Sequence, residues 1–168
     1  WAEVNSDYYQ LALEESEKGI LDPSGASDWT ALHGASIAER SVWFQFTLSN
    51  TDYMGAGKLL VDMLGRDNDS RLNIYFLGNG TSDIVGVSPG DSIQNASMLN
   101  ITGHYGMQWE PEFVSWYENS FIQAECYFKL GNEGLALAKL NETLDGIEQR
   151  WQGRGFSSAS IPRYDNLS

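Results

Sequence analysis

Residues 86–90 (GVSPG) match the G-x-S-x-G spacing that places a nucleophilic serine on a sharp turn in many hydrolases. That chemistry needs the backbone N–H of the residue after the serine to stabilise the oxyanion. Here this residue is Pro89, which has no N–H. Because no clear strand-then-helix pattern surrounds Ser88 either, we interpret the segment as a proline-glycine turn in a loop.

Metal-binding patterns are equally incomplete. Residues 67–71 (DNDSR) begin like a calcium loop, but arginine and leucine stand where the third ligand and the glycine belong. His33, His104 and Cys126 lack the spacing of a zinc site. One cysteine forms no internal disulfide, and Cys126 lies in a predicted helix, so we expect a small buried side chain there. We therefore expect no metal ion and no cofactor.

A pair of carboxylates is the third reactive set that the sequence offers, because glycoside hydrolysis uses two of them. The acidic candidates are Asp62, Asp67, Asp69, Asp83, Asp91, Glu110 and Glu112. The sequence gives no separation between any two, and every acidic protein offers such candidates. We therefore predict a protein that is not an enzyme, and a glycoside hydrolase is the less favoured alternative.

Charge and composition restrict the partners. The 168 residues carry 10 basic and 23 acidic side chains, a net charge of −13, which repels nucleic acids and anionic membrane surfaces. The aromatic fraction of 12% is high and favours a surface that binds a sugar, a peptide or a protein. No apolar run approaches the roughly 18–20 residues of a membrane span.

The elements that must position any site are predicted from hydrophobic spacing. Apolar side chains recur at helical spacing over residues 6–20 and 55–64, so we expect a helix in each segment. Residues 35–40 also begin helically, whereas residues 42–48 (VWFQFTL) alternate in a way that fits a short strand as well. The sequence therefore predicts a largely helical part over residues 6–64.

Residues 65–112 differ in character, because Gly, Asn, Asp and Ser recur every few positions. We expect a long irregular insertion here, with short strands at 74–77 and 84–85 that flank a hairpin-like turn. Long loops on a rigid scaffold often carry function, and the aromatic side chains favour a binding role. Residues 151–168 are predicted to form a loop rich in Gly and Ser.

The clearest helical pattern covers residues 121–144 (FIQAECYFKLGNEGLALAKLNETL), inside a predicted hairpin at 113–150. Small side chains at Ala124 and Ala136 let two helices approach closely, and Gly131 supplies the left-handed residue that ends the first helix. This spacing is close to the tetratricopeptide (TPR) pattern, which indicates a stacking scaffold. Three large aromatic side chains are expected in its core: Trp116, Phe121 and Tyr127.

Several stretches share their order and spacing with the motifs of one protein family. Residues 116–131 (WYENSFIQAECYFKLG) are similar to a family helix in which the pattern FI-x-AE precedes a glycine. Further matching stretches are residues 60–64, 68–72, 75–76, 85–86 and 89–90, preceded by the helix at 6–20 and the run at 39–46. On these motifs the chain resembles the SusD/RagB family of Bacteroidetes outer-membrane nutrient-binding lipoproteins.

The resemblance implies a mostly helical fold of TPR-like hairpins with an irregular ligand-binding part and at most short strands. Residues 1–168 would be part of a single SusD-like domain on the outer cell surface. The protein would bind a glycan or a peptide and act as a lid on a SusC-like TonB-dependent barrel transporter. Its membrane attachment would be an N-terminal lipid anchor that this chain does not contain, so we expect a portion of a longer protein.

Candidate ligand contacts come from physical chemistry, because the family's motifs do not contain its binding residues. Sugar rings stack on exposed aromatic side chains, and peptides use such side chains as hydrophobic anchors. Trp29 lies in a loop rich in Asp and Ser, and Trp109 lies in the irregular insertion. Tyr53 follows Asn50, whose amide would bind hydroxyl groups. For each aromatic residue the alternative is a core position that covers the helical stack.

A different function class also fits the hairpin. A TPR-type scaffold would bind only a protein partner, and a regular repeat along the whole chain would support it. The glycine-rich insertion at 65–108 speaks against such a repeat. The sequence leaves the choice between glycan and peptide ligands open.

Overall fold

The structure is a computed structural model, and it describes residues 3–19, 21–50, 54–78, 80 and 82–167. The described chain is mostly helical with a few short strands, as the sequence predicts. In chain order the elements are α1 (Asp7–Glu17), β1 (Trp29–Thr30), α2 (Val42–Ser49), α3 (Lys58–Arg66), α4 (Arg71–Tyr75), β2 (Phe76–Leu77), β3 (Met98–Leu99), β4 (Glu112–Val114), α5 (Trp116–Lys129) and α6 (Glu133–Gly153). They belong to two compact units. Unit 1 comprises residues 1–30, 112–157 and 161–168, and unit 2 comprises residues 31–111 and 158–160.

Unit 1 is built on the hairpin of α5 and α6, and α1 packs against α5. Helix α5 begins after Ser115, whose Oγ accepts a hydrogen bond from the backbone N–H of Glu118 at 3.3 Å. Gly131 has a φ of +80°, which lets the chain turn between the two helices. Trp116 packs directly on Gly146 of α6, where a methyl group would lie 2.7 Å from the ring atom Cη2. The predicted hairpin is confirmed, and Gly146 allows its helices to approach closely.

A buried ion pair fixes the loop before β1 to the hairpin. Arg150 Nη1 lies 2.5 Å from Asp28 Oδ2, and these side chains are 9% and 2% exposed. Asp28 Oδ1 accepts the backbone N–H of Trp116 at 2.8 Å, while Arg150 Nε donates to the carbonyl of Pro23 at 2.8 Å. A buried charge is tolerated when its polar atoms are bound in this way. The pair therefore determines where Trp29, the next residue, enters β1.

Unit 2 has a small core of its own. Its buried centre consists of Ala56, Val61 and Phe76, with Leu72, Tyr75, Ile84 and Leu99 packed around it. Strand β2 pairs antiparallel with β3, and the register places Phe76 opposite Leu99. The start of α3 is held by Val87, whose N–H donates to the carbonyl of Ala56 at 2.8 Å. The carbonyl of Val87 in turn accepts the N–H of Lys58 at 2.9 Å.

Two short motifs resemble reactive or metal-binding sequences, residues 86–90 and 67–71. Both form turns in the structure. Gly90 has a φ of +90°, and the N–H of Asp91 donates to the carbonyl of Ser88 at 3.1 Å. The calcium-like stretch is held internally, because Arg71 Nη2 lies 2.5 Å from Asp69 Oδ2. The carboxylate of Asp69 is thus used by its own neighbour, and both stretches have structural roles.

Two local expectations need correction. Residues 35–40, which the sequence predicts to begin a helix, form turns; of the two alternatives for residues 42–48, the structure shows the helix, α2. The predicted pairing of residues 74–77 with 84–85 is also wrong, because Ile74 and Tyr75 end α4 and β2 pairs with β3 instead. A short apolar run does not distinguish helix from strand by its period, and strand partners far apart in sequence leave no local signal.

The core assignments in the hairpin hold in part. Trp116 is buried, and Cys126 is buried as expected, which raises the pKa of its thiol. Phe121 and Tyr127 are only half-buried. Tyr127 stays at the edge because its hydroxyl donates to Glu17 Oε1 at 2.8 Å, and this bond raises the pKa of the phenol.

That residues 1–168 are part of a single SusD-like domain remains a prediction. Within the described residues, no helix combines the length and the apolar character that crossing a bilayer requires.

Candidate ligand-binding surfaces

Trp29 forms an exposed aromatic pair with Phe113, which the sequence did not single out. The two ring centroids are 5.4 Å apart with an interplanar angle of 49°. The side chains are 66% and 58% exposed, so neither is a core residue. Aromatic rings that contact one another at the surface present a broad apolar face with a negative electrostatic centre. We call this face the Trp29–Phe113 platform.

The platform is positioned by two elements of unit 1. Strand β1 pairs antiparallel with β4 in a register that places Trp29 opposite Val114 and Thr30 opposite Glu112, with an irregularity between the two pairs. Asp28, which precedes Trp29, is held by the buried ion pair with Arg150. The backbone under both rings is therefore fixed by contacts inside unit 1.

Polar groups suited to hydroxyl recognition adjoin the platform in sequence. Glu112 precedes Phe113, and its carboxylate lies 3.1 Å from Nη2 of Arg154. The guanidinium of Arg154 also lies 5.8 Å from the ring centroid of Trp151, which orients it. A carboxylate beside a guanidinium offers both acceptors and donors, as a sugar hydroxyl requires.

Trp109 belongs to a second aromatic group, in unit 2. Its ring is half-buried and meets Tyr105 edge-on at 5.1 Å and His104 at 5.7 Å. Tyr75 completes the group, 5.4 Å from His104. Burial raises the pKa of Tyr105 from 10.0 to about 12. These rings chiefly cover one another, which supports the core alternative for Trp109 more than a role as a free stacking surface.

The other two predicted contacts have different positions. Asn50 follows α2 as its C-cap, and its Nδ2 donates to the carbonyl of Phe46 at 3.0 Å. The amide nitrogen thus satisfies the helix end, and a role in ligand binding stays a prediction. Tyr53 lies outside the described residues. Trp29 and Trp109 belong to different units, so the structure describes two separate aromatic groups.

The carboxylates considered for glycoside hydrolysis are mostly engaged. Four of them form ion pairs: Asp62 with Lys58, Asp67 with Arg66, Asp69 with Arg71, and Glu112 with Arg154. Bound to Arg66, Asp67 has its pKa held below the usual value. This favours the ionised form of Asp67, whereas a catalytic acid must hold a proton. In the described part of the chain, no three His, Cys, Asp or Glu side chains lie together as metal ligands would.

The units also carry apolar grooves, on which a protein-binding scaffold would depend. On the hairpin, Phe121, Phe128 and Leu140 line a groove of about 270 Å³. In unit 2, the exposed side of α3 and residues 87–91 line a groove of about 690 Å³. The first groove is formed by the TPR-like spacing itself, because Ala124 and Ala136 at its floor are small.

The chain's similarity to known proteins is one of structure. No family model matches the chain, and no curated protein matches it. Among solved structures, one described as a chitin-binding protein matches with a TM-score of 0.69 at 18% sequence identity. The match covers 96% of this chain and 38% of the other, so the chain spans less than half the length of the protein it matches.

At this identity the comparison shows a shared fold. The shared fold includes nearly the whole chain. The matching protein is described by the ligand that it binds and not by a reaction. The SusD/RagB resemblance rests on the sequence motifs alone. The expectation of a protein that is not an enzyme remains a prediction.

Proposed function

We propose that the chain is part of a glycan-binding protein of the cell surface, and that the Trp29–Phe113 platform is its sugar contact. The observation that carries the proposal is the mutual exposure of the two rings. Burying a large aromatic side chain yields roughly 1.5–3 kcal/mol, so leaving two exposed side by side favours a surface that a ligand covers.

The geometry of the platform suits a sugar. The C–H face of a pyranose ring is apolar with a slight positive potential, and it packs on the negative face of an aromatic ring. The two rings are tilted by 49°, so they offer two differently oriented stacking faces. In this proposal the half-exposed guanidinium of Arg154, paired with Glu112, is the candidate polar partner for the sugar's hydroxyl groups.

The fold comparison supports a carbohydrate as the ligand. A protein that shares this fold over nearly all of the chain is described as chitin-binding. We therefore propose an oligosaccharide with N-acetylated sugars as the first ligand to test. An aromatic platform also anchors peptides, so peptides are the second class.

The role in uptake is a further part of the proposal and depends on the sequence resemblance. In it the protein acts with a SusC-like TonB-dependent barrel in the outer membrane. Co-purification of the full-length protein with a large β-barrel from its source membrane tests this part. Absence of a barrel under mild detergent conditions would remove the uptake role and leave the glycan contact to be judged by itself.

Titration calorimetry with chitin, cellulose and starch oligosaccharides and with a peptide mixture tests the ligand. We expect Trp29→Ala and Phe113→Ala each to weaken oligosaccharide binding about tenfold or more, as loss of an interfacial aromatic anchor does. Trp43→Ala is the matched control, since it removes an exposed tryptophan from α2 of unit 2. Equal affinities of the Trp29 and Trp43 variants would place the contact elsewhere. Silence across all oligosaccharides would reject the proposal.

A further inference from the structure

Arg40 differs from every other basic side chain of this protein. The chain has 10 Lys and Arg residues, and all of them lie in the described ranges. Nine have a carboxylate within 4.0 Å: Lys18, Lys58, Arg66, Arg71, Lys129, Lys139, Arg150, Arg154 and Arg163. Among the described residues, no carboxylate lies that close to Arg40. In a protein with 23 acidic side chains, an arginine that no described carboxylate approaches calls for an explanation.

The guanidinium of Arg40 is also partly buried. Its Nε is shielded from solvent and has no hydrogen-bond acceptor in the part of the chain that the structure describes. The side chain lies over the ring of Phe44 at 5.9 Å, which holds the guanidinium plane without satisfying its N–H groups. A buried donor left without an acceptor destabilises the fold, and more so when the group is charged. A buried donor of this kind calls for a physical explanation, and a bound ion or water is one.

Arg40 lines a cavity of about 540 Å³ in unit 2, and the other walls complement it. His33 and Gln45 supply polar atoms, while Leu32 and Val42 supply apolar contact. His33 Nδ1 donates to the carbonyl of Glu39 at 3.2 Å, so the second ring nitrogen, Nε2, takes no part in this hydrogen bond. Gln45 Nε2 donates to the carbonyl of Arg40 at 2.8 Å. The backbone carbonyls of Glu39 and Arg40 are therefore each held by a side chain that lines the cavity.

The N-terminus of α2 adds a second source of positive potential. This helix begins at Val42, which lines the same cavity. The first N–H groups of a helix have no intrahelical acceptor, and the helix dipole places partial positive charge there. Ser41, the N-cap residue, is fully buried and its Oγ makes no capping bond. An anion beside Arg40 would thus meet a guanidinium and a helix N-terminus together.

We propose that this cavity binds a carboxylate-bearing ligand, whose two oxygens are held by the guanidinium of Arg40. Arginine presents parallel N–H donors that match a carboxylate in a bidentate arrangement. Glu39 lines the same cavity, and the protein carries a net charge of −13. Both penalise a dianion such as sulfate or phosphate more than a carboxylate with a single charge. Leu32 and Val42 accommodate the non-polar part of the ligand.

Two ligand sources share this chemistry, a uronic acid sugar and the carboxylate of an amino acid or peptide. The probes are glucuronate, N-acetylleucine, their methyl esters, glucose and sulfate, each titrated into the protein by calorimetry or NMR. We expect at least one of the two carboxylates to bind, and its uncharged methyl ester to bind about tenfold more weakly or not at all. Binding of glucuronate alone identifies a sugar acid, and binding of N-acetylleucine alone identifies a peptide-type ligand.

The variants separate the proposal from a general electrostatic effect. Arg40→Gln should weaken the bound carboxylate about tenfold or more, and Arg40→Lys should restore part of the affinity because it keeps the charge without the fork. Arg66→Gln is the matched control, since Arg66 is an exposed arginine of the same unit that pairs with Asp67. Circular dichroism establishes that each variant is folded.

Three outcomes would overturn the proposal: no carboxylate binds at millimolar concentration, Arg40→Gln binds as well as Arg66→Gln, or sulfate binds as tightly as the carboxylates. The proposal does not depend on the Trp29–Phe113 platform. Trp29→Ala should leave carboxylate binding unchanged, so the failure of either proposal can be recognised separately.

Discussion

Helices of unit 1 bury Trp116, Leu144 and Ile147, whereas α2 of unit 2 exposes Val42 and Leu48. Helix α3 behaves in both ways, because it buries Val61 and Leu64 but exposes apolar side chains on its other face. Unit 1 also contains the most deeply buried ion pair among the described residues, between Arg150 and Asp28. The difference teaches that apolar content alone does not locate a core: neighbouring elements decide whether a side chain is covered.

The largest expected effect concerns the ion pair of unit 1. Arg150→Met removes one partner and leaves the Asp28 carboxylate as a buried charge, so we expect a loss of about 3–5 kcal/mol in the free energy of unfolding. Urea denaturation followed by tryptophan fluorescence measures it. Lys18→Gln is the control, because Lys18 and Glu15 form an exposed pair whose loss should leave the midpoint unchanged. Similar midpoints for both variants would show that burial adds nothing to this pair.

The next effect tests whether unit 2 has a core of comparable strength. Leu64 and Leu59 lie on the same helix α3, but they are 6% and 76% exposed. We expect Leu64→Ala to cost about 2–5 kcal/mol, since it leaves a cavity among buried side chains. Leu59→Ala should change stability by less than about 0.5 kcal/mol. Denaturation of the two variants under identical conditions gives both values. A costly Leu59→Ala would reveal that the exposed face of α3 is covered in solution.

The smallest effect concerns two glycines of α6. The same substitution to alanine should lower the stability at one of them and raise it at the other. At Gly146 an added methyl group would collide with the Trp116 ring, so Gly146→Ala should destabilise by about 1–3 kcal/mol. At Gly134 nothing lies within 4 Å, so Gly134→Ala should stabilise by about 0.4–1 kcal/mol through reduced freedom of the unfolded chain. Thermal unfolding by circular dichroism resolves the opposite shifts. Equal shifts would mean that the helices do not meet at residue 146.

The sequence predicts those parts of the fold whose signals are local. The hairpin was accessible because its small residues, its turn glycine and its amphipathic spacing all lie within about forty consecutive positions. Residues 7–17 could be predicted for the same reason. The pairing of β2 with β3 could not, since Phe76 and Leu99 are separated by a long irregular stretch. Helix α2 was ambiguous because a short, largely apolar run fits the period of a helix and of a strand.

The candidate sites show the same limit more sharply. Trp29 was a reasonable candidate from its polar loop, but its partner Phe113 joins it only through the pairing of β1 with β4. Arg40 carries no sequence signal at all. Its distinction is that no described carboxylate reaches it, and only the arrangement of all the other charges reveals this.

The bond between Asp28 and Arg150 has a thermodynamic consequence for anything that stacks on Trp29. The backbone on one side of that ring is tied to the hairpin before a ligand arrives, through Asp28, Arg150 and the N–H of Trp116. Ordering a loop on association consumes part of the interaction energy. Here that entropy is lost during folding, so recognition at this surface would be that of a rigid, preorganised receptor with a small entropic penalty.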